Sequence, residues 1–146
     1  MSANQNATPA SDHFTETEVA YLNEQMLGRL ATTGANGEPH VTPVGFRFNA
    51  NSGTIDIGGH NFAQSKKVRD TQANPRVAFV VDDIATVDPW WVRGIEVRGT
   101  AEFFQSGGED IRPGFDAPFL RITPRRIVAW GLDTHFFEAS RRTVNE

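Results

Sequence analysis

Apolar and polar positions alternate with period two along much of the chain, and turn residues break the alternation at short intervals. Ahead of the first alternating segment, Thr15-Glu16-Thr17-Glu18 has the spacing of a capping box, and Val19, Leu22 and Met26 share one face of a helix ending near Gly28. This helix reads as packing, a lid over one end of a sheet. Residues 29–33 form a short strand, Asn36-Gly37 is a pair favoured in tight hairpins, and residues 40–48 return as a second strand. Pro43 lacks an N–H, which places it at an edge, at a bulge, or where the ladder opens for a ligand.

A polar turn at 49–53 leads to a strand at 54–57, and further strands follow at 77–81 and 92–104. In the longest of these Ile95, Val97, Ala101 and Phe103 oppose Glu96, Arg98, Thr100 and Glu102. Asp82-Asp83 opens a loop that runs through Asp88-Pro89-Trp90-Trp91, and 105–118 is a Gly- and Pro-rich loop. Residues 119–130 are a last strand pair, or one strand broken at Pro124, before Gly131 and a polar tail with Arg141-Arg142. Short strands at close intervals with one internal helix predict a mainly β fold, an antiparallel barrel rather than a parallel sheet. Residues 1–13 read as a mobile polar tail and 14–146 as a single domain.

The stretch from 55 to 81 is where chemistry enters. A strand ends in Gly58-Gly59, which lets the backbone come close to something and turn. Asn61 is positioned as the N-cap of a helix that brings Ser65, Lys66, Lys67 and Arg69 into its first turns, and Asn74-Pro75 stops it. Free N–H groups and cations at a helix start favour an anion. A connector helix with a solvated basic face produces the same pattern.

The formal charge of −4 and a pI near 5.5 argue against nucleic acid as partner and for an anionic small molecule at the local basic cluster. Without cysteine there is no disulfide framework or zinc–thiolate site, and no apolar run has the length of a membrane span or of a signal peptide. The expected location is cytoplasmic, with no membrane partner. Four histidines lack metal-ligand spacing, so no metal is expected. Of these His60, beside the glycine pair, reads either as a donor to a phosphate or bound ring or as a satisfied turn residue. No Gly-x-Ser-x-Gly elbow, Walker loop or GxGxxG occurs, and no side chain is assigned a catalytic role. Adjacent Trp90 and Trp91 in a loop suggest a dimer interface or a pocket wall, against ordinary loop packing. What remains is a binding argument, a phosphate cradle and an aromatic wall for a cofactor with its own reactivity.

Six segments follow one another in the order seen in a known superfamily: Gly28-Arg-Leu-Ala-Thr-Thr, Gly37-Glu-Pro-His-Val-Thr-Pro-Val, Ile55-Asp-Ile-Gly-Gly, Lys66-Lys-Val-Arg, Asn74-Pro-Arg-Val-Ala and Val97-Arg-Gly-Thr-Ala. The chain thereby resembles the flavin-binding split β-barrels, in the pyridoxamine 5′-phosphate oxidase-like branch that uses the deazaflavin coenzyme F420. Val80-Val-Asp-Asp, Asp88-Pro-Trp and Val128-Ala-Trp-Gly look most like the actinobacterial subgroup containing the oxytetracycline-pathway reductase.

The resemblance implies a six- to seven-stranded split barrel with short flanking helices, and a homodimer with cofactor sites at the subunit interface. It implies that Lys66, Lys67 and Arg69 hold the cofactor phosphate, with Gly59, His60 and Asn61 beside it. His40, Pro43 and Val44 would line the ring, Thr32 and Thr33 would stand on the neighbouring strand, and Trp90, Trp91, Arg93 and Trp130 would come from the other subunit. The Ser-Arg-Lys signature of true pyridoxamine phosphate oxidases reads Ser65-Lys66-Lys67 here, preceded by Gln64, and their C-terminal arginine motif is absent, which argues against the vitamin B6 reaction. The implied activity is hydride transfer from reduced F420 to an electron-poor, enone-like small molecule. The alternatives are an FMN-dependent oxidoreductase and a carrier of F420, FMN or a haem-like ligand without turnover. Arg125, Arg126, Arg141 and Arg142 are candidates for the acidic oligoglutamyl tail of F420, or solvated charges.

Overall fold

The computed structural model describes residues 13–134 and 138–144; residues 1–12 of the tail expected at 1–13 and the histidine at 135 lie outside the described residues. Thr15 and Glu18 close the capping box around α1 (Glu16–Glu24), each side chain bonding the other's backbone N–H. The helix stops at Glu24 rather than near Gly28 because Gln25 is already extended, which leaves Met26 60% exposed on the link. Gly28 serves the sheet instead: a Cβ there would lie 2.4 Å from the Phe79 ring.

Seven antiparallel strands follow: β1 (Leu27–Thr33), β2 (Pro39–Asn49), β3 (Thr54–Gly58), β4 (Arg76–Thr86), β5 (Trp91–Phe104), β6 (Phe119–Trp130) and β7 (Ala139–Thr143), with α2 (Lys66–Ala73) between β3 and β4. Their order is β3-β2-β1-β4-β5-β6-β7, and an added β3–β6 pairing closes the first six into a barrel. The barrel splits along two strands. β6 spends residues 120–122 on β3 and 126–130 on β7. β2 pairs with β3 only from Gly45 onward, so residues 39–44 have β1 on one side and an open edge on the other. Pro43 sits on that open edge, where its missing N–H costs nothing. Inside, Leu30, Phe79, Ile95, Val97, Leu120 and Ile127 are fully buried, and Phe46 meets Phe79 edge to face.

Four expectations are corrected. β4 runs through Asp82-Asp83 to Thr86, because Arg29 and Arg93 on the neighbouring strands neutralise the two carboxylates; Trp91 therefore begins β5 and only Trp90 lies in the turn. β6 is continuous past Pro124. A bulge places Arg98 opposite Arg126 and Gly99 opposite Pro124, leaving Arg125 as the extra residue, and Gly99 is needed because a Cβ there would lie 2.1 Å from the Thr123 carbonyl oxygen. Asn61 caps no α-helix: it is left-handed (φ 52°) and opens a short 3-10 turn, while α2 starts five residues later, at Lys66. The polar tail contains β7, anchored by Arg142 on β7 donating to the buried Glu18 carboxylate and to the His13 carbonyl.

Candidate cofactor site

The α2 N-terminus is electrostatically unfinished. Its first turn holds Lys66, Lys67 and Arg69 and no acid, so the cations add to the positive end of the helix dipole instead of balancing it. Ser65 does not cap the free N–H groups, since its hydroxyl turns back to the Phe62 carbonyl at 2.6 Å. Arg69 is turned aside to the Gln64 carbonyl. Lys67 lies over the Phe62 ring, and burial pushes its ammonium below the ordinary lysine value of 10.5. It has no carboxylate in ion-pair range among the described residues.

Behind Lys66 lies a buried corner that the sequence did not disclose. Asp70, 5% exposed, accepts from the Thr32 hydroxyl at 2.7 Å and from Lys66 Nζ at 3.0 Å. Burial alone would raise its pKa; the Thr32 and Lys66 hydrogen bonds and the nearby charges outweigh this and hold it below the usual aspartate value. Thr32 pairs with His40 across β1 and β2, and His40 Nδ1 lies 3.9 Å from the Asp70 carboxylate, too far to bond. His40 Nδ1 and the next inward atom on β2, Thr42 Oγ1, are both buried without a hydrogen-bond partner. Two orphaned polar atoms on the open edge of β2 suit a bound ring carrying its own donors and acceptors. Val44 turns its side chain into the core, whereas Pro43 faces outward.

The glycine pair has a different occupant from the one expected. Gly45 and Gly58 face each other across β2 and β3, and a Cβ on either would come within 3.0 Å of the Phe115 ring, which the 105–118 loop lays over them. Gly59 is tied to that loop through its carbonyl, which accepts from Asp116 N–H, and the Asp116 carboxylate accepts from Phe62 N–H. His60 and Asn61 are exposed at the rim, with His60 edge-on to Phe115.

The aromatic residues gather at the far end of the barrel. Trp91 Nε1 donates to the Gly131 carbonyl, and the Trp130 ring lies against Gly94. Arg93 forms a two-pronged pair with Asp83 and lies over the Tyr21 ring, while the Tyr21 hydroxyl donates to Asp83. Arg93 first, and then Tyr21, keep Asp83 below its ordinary pKa; burial pushes Tyr21 up. Arg98, beside the Thr32 end, is seven residues up β5 from Trp91, or about 23 Å of strand. Within one chain the tryptophans and the α2 N-terminus are therefore separate.

A groove of about 390 Å³ opens on the outer face near the β1–β2 hairpin. Thr33, Pro39 and Ala78 line it together with Arg76, Arg98 and Arg125. Arg76 and Arg98 were missed as site residues although both lie within the recognised segments, because strand position does not reveal that a bulge turns Arg125 toward them. Among the described residues no helix is long and apolar enough to cross a membrane, and no group of three acidic, His or Cys side chains could hold a metal ion.

The sequence model described as pyridoxamine 5′-phosphate oxidase matches residues 14–130. A 5a,11a-dehydrotetracycline/5a,11a-dehydrooxytetracycline reductase of Streptomyces rimosus is 48% identical over 120 residues, 82% of this chain and 84% of that protein. A conserved hypothetical protein of Mycobacterium tuberculosis superposes with a TM-score of 0.63 at 25% identity, covering 81% of this chain and 85% of its own. An FAD-binding protein of Mycobacterium smegmatis shares the fold at 22% identity, with a TM-score of 0.61 and coverage of 88% and 98%. With four-fifths of its length matched by both the family and a reductase, the chain belongs to the pyridoxamine 5′-phosphate oxidase family and is an oxidoreductase of that class.

Proposed function

We propose that the chain is a homodimeric, F420-dependent reductase that saturates the carbon–carbon double bond of an electron-poor, enone-like small molecule. The observation that carries this reading is the unneutralised Lys67 at an uncapped, acid-free helix start, in a chain 48% identical to a reductase whose named substrates are dehydro compounds. Lys67 binds the cofactor phosphate, the first-turn N–H groups of α2 add to it, and His60 and Asn61 stand at the rim. His40 and Thr42 on the open edge of β2 take the polar edge of the ring. When bound, reduced coenzyme F420 would supply the hydride and solvent the proton that completes saturation; the chain supplies position.

FMN carries a phosphate at the same end of its ribityl chain, so the cradle alone does not separate the two cofactors. The groove with Arg76, Arg98 and Arg125 favours F420, whose oligoglutamyl tail is acidic. Dimerisation is supported by apolar side chains left exposed on β1, β2 and β4, among them Leu27, Val41 and Ile84, and by the separation of the tryptophans from the α2 N-terminus within one chain. Fluorescence titration with F420 and FMN side by side tests the assignment. Lys67→Ala weakens both by about 1–3 kcal/mol, the worth of a charge-assisted hydrogen bond, and Arg76→Gln combined with Arg125→Gln weakens F420 more than FMN. Unchanged affinity in Lys67→Ala removes the cradle.

A further inference from the structure

We infer that Asp70 sets the charge of the cofactor site: it neutralises Lys66 and pins it to the β1–β2 corner, so that Lys67 alone meets the phosphate. The inference rests on the cradle reading above. Asp70 follows Lys66 by one helical turn and binds its ammonium at 3.0 Å. The carboxylate is held in place from the opposite side by the Thr32 hydroxyl at 2.7 Å, inside the barrel end. Gly34 in the hairpin leaves room for the pair, since a Cβ there would lie 3.3 Å from Asp70 Oδ1 and 3.7 Å from Lys66 Nζ. The two adjacent lysines thus have different fates: one is compensated, and the other has no carboxylate in range among the described residues.

Stability gives little reason for a carboxylate here. A helical pair with the lysine N-terminal to the acid is the weaker orientation, and a buried ion pair is readily replaced by apolar packing. What Asp70 does change is anion affinity. It cancels one of the two cations at the helix start and repels a phosphate directly. The site then holds a phosphate-bearing cofactor less tightly than its sequence, with two adjacent lysines, suggests.

Asp70→Asn keeps the shape and an acceptor for Thr32 while removing the charge. In fluorescence titrations it tightens binding of F420 and of FMN by about tenfold, the scale of one unit charge in a half-solvated site, and leaves riboflavin, which lacks the phosphate, within twofold. Lys66→Ala alone strands the Asp70 charge and weakens FMN binding by about tenfold, and adding Asp70→Asn to it returns the affinity to within twofold of wild type. Unchanged or weaker binding of both phosphate ligands by folded Asp70→Asn overturns the inference. If Asp70→Asn alone does not fold, the double variant decides: FMN affinity within twofold of wild type supports the inference, and a tenfold loss overturns it, because Lys66 then meets the phosphate itself. Lys67→Ala separates the two claims, because an unchanged FMN-to-riboflavin ratio there removes the cradle itself.

Discussion

Arg142 distinguishes a structural charge from a cofactor-binding one. Its guanidinium donates to both Glu18 carboxylate oxygens and to the His13 carbonyl, tying β7 to α1. Glu18 is fully buried, so Arg142→Met strands its carboxylate with the Thr15 N–H as its remaining partner. Losing one member of a buried pair costs about 3–5 kcal/mol. The Arg142 side chain is 31% exposed and water reaches the gap, which lowers the expected cost to about 2–4 kcal/mol. With a urea slope of about 2 kcal/mol per molar, the unfolding midpoint falls by about 1–2 M. Arg141 is exposed and has no ion pair among the described residues, and Arg141→Met stays within about 0.5 kcal/mol. F420 affinity is unchanged in both variants. An unmoved midpoint in Arg142→Met together with weaker F420 binding would refute this reasoning and assign Arg142 to the acidic tail.

Gly94→Ala pushes a methyl into the Trp130 ring, 2.4 Å from the built Cβ, and destabilises by about 1–3 kcal/mol; thermal unfolding and near-ultraviolet circular dichroism read the loss and the moved indole. Asp83 has a depressed folded-state pKa, so its stabilisation is present above the unfolded aspartate value of 3.8 and disappears as pH falls through the folded one; Asp83→Asn is less stable than wild type at pH 7, and the two converge in acid denaturation curves. Lys67 is depressed by burial, so phosphate-dependent affinity falls with rising pH beginning below the ordinary 10.5, and riboflavin, lacking a phosphate, shows no such limb. A limb centred at or above 10.5 contradicts the burial argument.

The strands were legible because their inward residues, such as Ile95 and Val97 on β5, alternate cleanly with charged outward ones. β4 was cut short because Asp82 and Asp83 look like turn residues until their partners Arg29 and Arg93 are known, and those partners come from other strands. β7 has no apolar period of its own, and its position is set by the Arg142 contacts to α1. At the site, Lys66 and Lys67 were visible as a basic pair. Their inequality was not, because it depends on Asp70 being buried against Thr32, a contact 38 residues apart in the chain. The Gly45–Gly58 gap likewise could not be assigned to Phe115 from local spacing, since the ring arrives from a loop far along the sequence.

Turnover of the bound cofactor separates an enzyme from a carrier. Purified protein is loaded with reduced F420 and mixed in a stopped-flow instrument with a panel of activated alkenes, 5a,11a-dehydrotetracycline among them, while the return of oxidised-cofactor absorbance is followed. The expected result is reoxidation whose rate depends on the alkene and which Lys67→Ala slows through weaker cofactor binding. Tight binding of F420 with no alkene-dependent reoxidation would contradict it and make the protein a carrier.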